Sequence, residues 1–193
     1  MELVSPISTR RRIPNARLGL FMTALIVVVA GIGFAQTQSF EWFVLKNAIR
    51  LKYPGVRRIT TEQLAAWLAD PRRAQPVLLD VRTPAEWNVS HLAGARRVDP
   101  GASGEAAGAG IPHNAPIVTY CAVGYRSSEF ARRLQAAGFG NVYNLEGSIF
   151  EWANQGRPLV DAEGQRAERV HPYNGWWGRL LNENVRSEAQ VTR

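Results

Sequence analysis

The chain has one cysteine, three histidines and two methionines in 193 residues, and these shortages exclude a good deal. A single thiol permits no internal disulfide, and with only His91, His113 and His171 elsewhere no zinc cluster can be built around it. Neither a metal nor a cofactor is expected. Acidic residues are also scarce, 16 against 23 lysines and arginines, for a net charge of +7. Arg10, Arg11, Arg12 and Arg17 against Glu2 supply three of those charges before residue 18. The remaining arginines are scattered as pairs such as Arg57-Arg58, Arg72-Arg73, Arg96-Arg97 and Arg132-Arg133, with no stripe that could track phosphates, so nucleic acid is not an expected partner. No internal repeat is present.

Charge is absent altogether from Leu18 to Ala35, where the run from Leu20 to Ala30 is almost continuously apolar. Eighteen residues of helix span ~27 Å, near the thickness of a bilayer's hydrocarbon core. A transmembrane helix over 18–37 is therefore expected, single-pass, with a basic cytoplasmic segment 1–17 before it and the rest of the chain extracytoplasmic. Gly33-Phe-Ala35 also offers a small-residue cleavage site, but the length of the apolar run favours a retained anchor in the inner membrane. The next segment, 38–55, reads as an amphipathic juxtamembrane helix. Trp42 and Phe43 could rest at the interface while Lys46, Arg50 and Lys52 face headgroups, or the helix could pack on the domain that follows.

From Val56 the pattern alternates between strand and helix. Arg58-Ile59 and Val77 to Val81 read as strands, and Thr60 or Thr61 can cap a helix over Glu62 to Ala69. Thr83-Pro84 opens a helical turn, Ala95 to Val98 reads as a strand, and Pro100 to Gly110 as a glycine and alanine loop. Ile117 to Tyr120 is a strand and Ser127 to Ala137 a helix, with Ser127 and Ser128 as candidate N-caps. Asn141 to Asn144 and Glu146 to Asn154 complete the pattern as a strand and a helix. This alternation predicts an α/β fold with a central, mostly parallel sheet covered by helices on both faces. Ligands of such sheets sit at strand C-terminal ends, where Asp80 and Cys121 both fall.

Cys121 follows a β-branched run and precedes a short loop with one glycine and then a helix. That placement aims its sulfur at loop N–H groups and a helix N-terminus, a setting that favours the reactive thiolate over a merely buried thiol. Three separated motifs carry a resemblance: Leu79-Asp80-Val81-Arg82-Thr83-Pro84-Ala85-Glu86, His91-Leu92-Ala93-Gly94-Ala95, and Cys121-Ala-Val-Gly-Tyr-Arg-Ser-Ser128. In this order and spacing, with Leu145 to Trp152 and Gly156 to Leu159 after them, residues 56–160 resemble the single-domain rhodanese family of sulfurtransferases. Ser90 and Ala93 depart from the glycine and proline usual around the histidine, which touches a turn more than the chemistry.

The resemblance implies that Cys121 attacks the outer sulfur of a sulfane donor such as thiosulfate. It would hold that sulfur as a persulfide and pass it to a thiol, a protein acceptor or cyanide. The donor would be a small anion, bound by Ala122, Val123, Gly124, Tyr125, Arg126 and Ser127. Arg126 could point to the loop mouth or fold back onto a structural carboxylate. Asp80 and Arg82 would support the site, and Glu86 and His91 would be structural. A rhodanese-fold phosphatase would carry five residues between cysteine and arginine, whereas four intervene here, Ala122 to Tyr125. The remaining alternative is a catalytically idle interaction module in the cell envelope. With no second cysteine, a persulfide would have to be unloaded onto an external acceptor. The tail, 161–193, carries Trp176 and Trp177, expected to cover a face of the domain or the helix before it, or to meet a bilayer; its last dozen residues read as disordered.

Overall fold

The computed structural model describes residues 38–188. The expected membrane helix over 18–37 and its basic leader lie outside the described residues, and among the described residues no helix is long and apolar enough to cross a membrane. Residues from Glu41 onward form one compact unit.

A helix over 38–52 (α1) leads into β1 (Arg57–Ile59), α2 (Thr61–Leu68), β2 (Val77–Asp80), α3 (Pro84–Val89), β3 (Arg96–Arg97), α4 (Gly104–Ala107), β4 (Ile117–Tyr120), α5 (Tyr125–Ala136), β5 (Val142–Leu145) and α6 (Ser148–Asn154). A short antiparallel pair, β6 (Leu159–Val160) and β7 (Arg166–Ala167), is followed by α7 (Gly175–Gly178) and a 3₁₀ turn over Glu183–Val185. The main sheet has five strands in the order β1-β5-β4-β2-β3, and every pairing is parallel.

Period-two alternation splits the strand side chains between two cores. Leu78, Val118 and Tyr120 face α2 and α6, where Leu64, Trp67, Ile149 and Phe150 pack. Leu79, Ile117 and Val142 face the other way, toward Phe130, Ala131 and Leu134 of α5 and Ile49 of α1. The central strands β2 and β4 are buried on both sides, as their near-continuous apolar runs require, whereas the edge strands β1 and β3 carry exposed arginines.

Local chemistry sets the helix starts. Thr60 and Thr83 form capping boxes with Gln63 and Glu86, and proline at the first position of α3 loses no hydrogen bond there. Two expectations are corrected. The stretch from Pro100 to Gly110 contains α4, capped by Ser103 and packed so closely on α5 that a Cβ at Gly104 would stand 2.3 Å from the Arg133 carbonyl oxygen. Ser127 and Ser128 are not N-caps: α5 begins at Tyr125 after a left-handed Gly124, and Ser128 Oγ donates to the Gly124 carbonyl at 2.8 Å, inside the first turn. Of the two settings left open for the helix over 38–52, the basic residues of α1 take the one against the domain. Lys46 pairs with Glu151 at 2.6 Å, Arg50 pairs with Glu146 at 2.8 Å, and Lys52 bonds the Tyr125 hydroxyl.

The tail is also built into the unit. Leu180 and Leu181 are buried in the core with Val170, and Asn154 bonds the Leu180 carbonyl at 2.7 Å and receives the Asn182 N–H at 2.8 Å. Residues 182–188, expected to be disordered, close a parallel bridge between Val170 and Arg186.

Candidate active site

Cys121 is the residue immediately after β4, beside Val81 and the end of β2, at the C-terminal edge of the sheet. Its carbonyl accepts the Ile149 N–H at 3.2 Å, and its N–H donates to Ser148 Oγ at 3.1 Å, so the start of α6 fixes its backbone. Ser148 adopts φ 50°, a left-handed value uncommon outside glycine, and its hydroxyl donates in turn to the Leu145 carbonyl at 3.0 Å. The sulfur therefore sits on a backbone held by a neighbouring element.

Around the sulfur, Gly124 N–H donates to Sγ at 3.2 Å, and Ser127 Oγ lies 3.5 Å away. Gly124 has φ 106°, a left-handed value that an L side chain resists. Ser127 Oγ also donates to Asn144 Oδ1 at 2.6 Å. One hydroxyl proton cannot serve both partners, so with the proton on Asn144 the serine oxygen faces the sulfur with its lone pairs. The thiol is almost fully covered, 1% exposed.

Arg126 folds back onto a carboxylate, one of the two directions the sequence left open. It meets Glu86 in a fork, Nη2 to Oε1 at 2.6 Å and Nη1 to Oε2 at 3.0 Å. Burial alone would raise the Glu86 carboxyl, but the hydrogen bond and charge of Arg126 outweigh it and hold the group below the usual carboxylate range. Burial opposes the charge on Arg126 as well; Glu86 and the nearby Cys121 sulfur reverse that and hold the guanidinium above its ordinary value. Glu86 thus has two tasks, since its Oε2 also accepts from Thr83 N and Oγ1 at the start of α3.

Asp80 and Arg82 stand behind the site as a fully buried pair. Arg82 Nε and Nη2 reach both carboxylate oxygens at 2.6–3.0 Å, and Nη2 also bonds the Ser90 carbonyl at 2.6 Å. His91 stacks on Trp87 with ring centroids 3.5 Å apart and pairs through its backbone with Val160.

A pocket of about 100 Å³ at Cys121 is lined by Ala122, Val123, Tyr125 and Arg126 of the loop and by Tyr173 and Trp177 of the tail. At ~30 Å³ for a water's share of liquid, this holds about three waters. The loop residues were legible in the sequence; the tail residues were not, because nothing in residues 161–193 marks where they dock. Glu86, Asn144 and Ser148 were also missed as site residues. For Glu86 the signal existed, an acid within a motif and an arginine in need of a partner; for Ser148 the deciding feature is a backbone angle, which a serine does not announce. No group of three or more metal-ligating side chains occurs among the described residues.

Residues 60–155 match the family model described as rhodanese-like domain. A sulfurtransferase of Allochromatium vinosum is 36% identical over 113 residues, 56% of this chain and 99% of that protein. The thiosulfate sulfurtransferase GlpE of Stutzerimonas stutzeri is 32% identical over 97 residues, 50% of this chain and 84% of its own length. The probable adenylyltransferase/sulfurtransferase MoeZ of Mycobacterium tuberculosis is 36% identical over 101 residues, and there the match spans only 25% of the relative. Among solved structures, the rhodanese-like domain of the Alr3790 protein from Anabaena superposes with a TM-score of 0.51 at 22% identity, covering 70% of this chain and 96% of that one. That likeness speaks for the fold. With the near full-length match to the Allochromatium protein and the thiol held at the end of β4, the chain belongs to the single-domain rhodanese-like sulfurtransferase family.

Proposed function

We propose that the protein transfers sulfane sulfur from a donor such as thiosulfate to a thiol or cyanide acceptor through a persulfide on Cys121. The observation that carries this reading is the seating of Cys121: a lone thiol at a strand end, its backbone clamped by Ser148 and Ile149, a loop N–H on its sulfur, and a pocket that it helps line. With thiosulfate, the Cys121 thiolate attacks the outer sulfur, the sulfur–sulfur bond breaks and sulfite leaves with the bonding electron pair. Gly124 N–H supports negative charge on the Cys121 sulfur as it enters and leaves the reaction. The persulfide must then go to an external acceptor, since Cys121 is the chain's only cysteine. The pocket's small volume and the four-residue spacing to Arg126 favour a sulfur donor over a phosphoester.

Mass measurement of the full-length chain after incubation with thiosulfate or an organic persulfide tests the reading. The expected result is a cyanide-labile gain of one sulfur atom, absent in Cys121→Ser. No adduct with either donor would leave an interaction module as the better account, and Cys121-dependent hydrolysis of an aryl phosphate would point to the phosphatase. We further propose, on the uncharged stretch from 18 to 35, that the chain is anchored in the inner membrane with its catalytic domain outside the cytoplasm. Protease accessibility in spheroplasts checks that: a protected domain overturns the orientation.

A further inference from the structure

Part of the lining of the Cys121 pocket comes from the tail. Tyr173 lies with its ring centroid 4.5 Å from the Arg126 guanidinium carbon, and Trp177 lines the same pocket. This part is held in place rather than resting there. Tyr173 takes φ 64°, its N–H donates to His171 Nδ1 at 2.9 Å, and Asn174 Oδ1 accepts the Trp177 N–H at 2.9 Å as the cap of α7. A non-glycine residue at that φ is strained and persists only where surrounding contacts enforce it.

The charge around the pocket is the second observation. Arg126 is the cation of the lining, and it is spoken for: Glu86 takes it in a fork and the Tyr173 ring covers a face of its guanidinium. Lys52, the next cation along, bonds the Tyr125 hydroxyl and lies over the Tyr125 ring at 4.7 Å. Beside a thiolate, a doubly charged donor would enter a small chamber whose guanidinium is already neutralised. Aromatic rings and aliphatic loop carbons make up most of what remains, and these surfaces suit divalent sulfur, which packs favourably against ring edges at ~5 Å.

Resting on the transferase reading above, we propose that the donor this pocket selects is an organic persulfide, R–S–SH, whose sulfur pair lies between the loop and the Tyr173 and Trp177 rings, in preference to the dianion thiosulfate. In the transfer, the Cys121 thiolate attacks the terminal sulfur, the bond between the two donor sulfurs breaks, and the thiolate R–S⁻ leaves with the electron pair. The terminal sulfur keeps its proton and becomes the Cys121 persulfide, so charge and oxidation state balance. Tyr173 is the specificity-determining residue, acting through its ring.

The test is single-turnover sulfur loading of the full-length chain with benzyl persulfide and with thiosulfate, each rate divided by that donor's rate with 2-mercaptoethanol to remove intrinsic reactivity. The expected normalised ratio favours benzyl persulfide at least tenfold. Tyr173→Gly should lower that ratio at least tenfold; glycine accepts φ 64°, so loss of the ring is separated from misfolding. Tyr173→Phe should keep the ratio, and Glu86→Gln, which leaves the Arg126 charge free, should move it toward thiosulfate. Equal or faster normalised loading by thiosulfate in the wild type, or an unchanged ratio in Tyr173→Gly, overturns the substrate class while the transferase reading stands. Failure of both donors to load Cys121 overturns the two together.

Discussion

Gly124 and the Asp80–Arg82 pair show how much single residues decide here. At Gly124 an added Cβ would meet Asn144 Nδ2 at 3.4 Å and the Leu145 carbonyl at 3.5 Å, so space exists; the obstacle to alanine is φ 106° itself. Gly124→Ala should cost about 1–3 kcal/mol and slow sulfur loading, because relaxing that angle turns the N–H away from Sγ; urea unfolding and single-turnover rates check both. Asp80 neutralises an arginine with no exposed surface, where burial opposes the charge and Asp80 restores it. Asp80→Asn should therefore cost about 3–5 kcal/mol in urea unfolding, the penalty for an uncompensated buried charge. A loss under 1 kcal/mol would mean that the Ser90 carbonyl and other neighbours carry the guanidinium unaided. The partner of Arg82 was legible because it lies two residues away on the same strand end. For Arg126 the sequence showed only that a carboxylate was possible; that the partner is Glu86, forty residues distant, depends on the sheet order.

Elements bring together what residues alone do not. The alternation of strand and helix was readable because strands buried on both faces need continuous apolar runs, and Thr60, Thr83 and Gly138 punctuate them. The start of α5 was misplaced because serines are good caps in general, whereas here the catalytic loop's own glycine makes the turn and draws the serines inside the helix. The segment from His171 to α7 has a pH dependence of its own. His171 is buried, which disfavours its charged form and lowers its pKa below the ordinary 6.5, even though Glu86 opposes that shift. The unfolded chain binds the proton first, so this contribution is complete above pH 6.5 and is lost as pH falls toward the depressed folded value. Protonation also ends acceptance of the Tyr173 N–H at Nδ1. His171→Asn, which keeps an acceptor at that point, should flatten the fall in urea midpoint between pH 6.5 and 4.5. His91, depressed chiefly by burial, retains its share of the slope.

At the scale of the whole molecule, α1 and the tail behave as parts of the same compact unit as the rhodanese-like domain. The ion pairs of Lys46 and Arg50 seat α1 on α6 and the residues before it, and Ile49 enters the core shared with α5. Exposed versions of such pairs are worth little, so the buried Ile49 contributes more to that seating. Leu180 and Leu181 join the core on the α2 and α6 side, 3% and 1% exposed. Leu181→Ala should cost about 2–5 kcal/mol and lower the melting temperature of the entire unit in a single transition. A separate early transition confined to the tail, seen by hydrogen exchange over 170–187, would show that the tail is a detachable cover.

The sequence by itself determined the class of fold and the place of Cys121 at a strand end, before its glycine-bearing loop. Local periodicity, capping residues and three spaced motifs are short-range information, and a chain read in order displays them. Tertiary structure decided which way Arg126 points, that Ser148 and Asn144 from neighbouring elements hold Cys121 and Ser127, and that Tyr173 and Trp177 wall the pocket. Each of those depends on which distant segments the parallel sheet and the returning tail bring within 3 to 5 Å of one another, and no spacing along the chain encodes that distance.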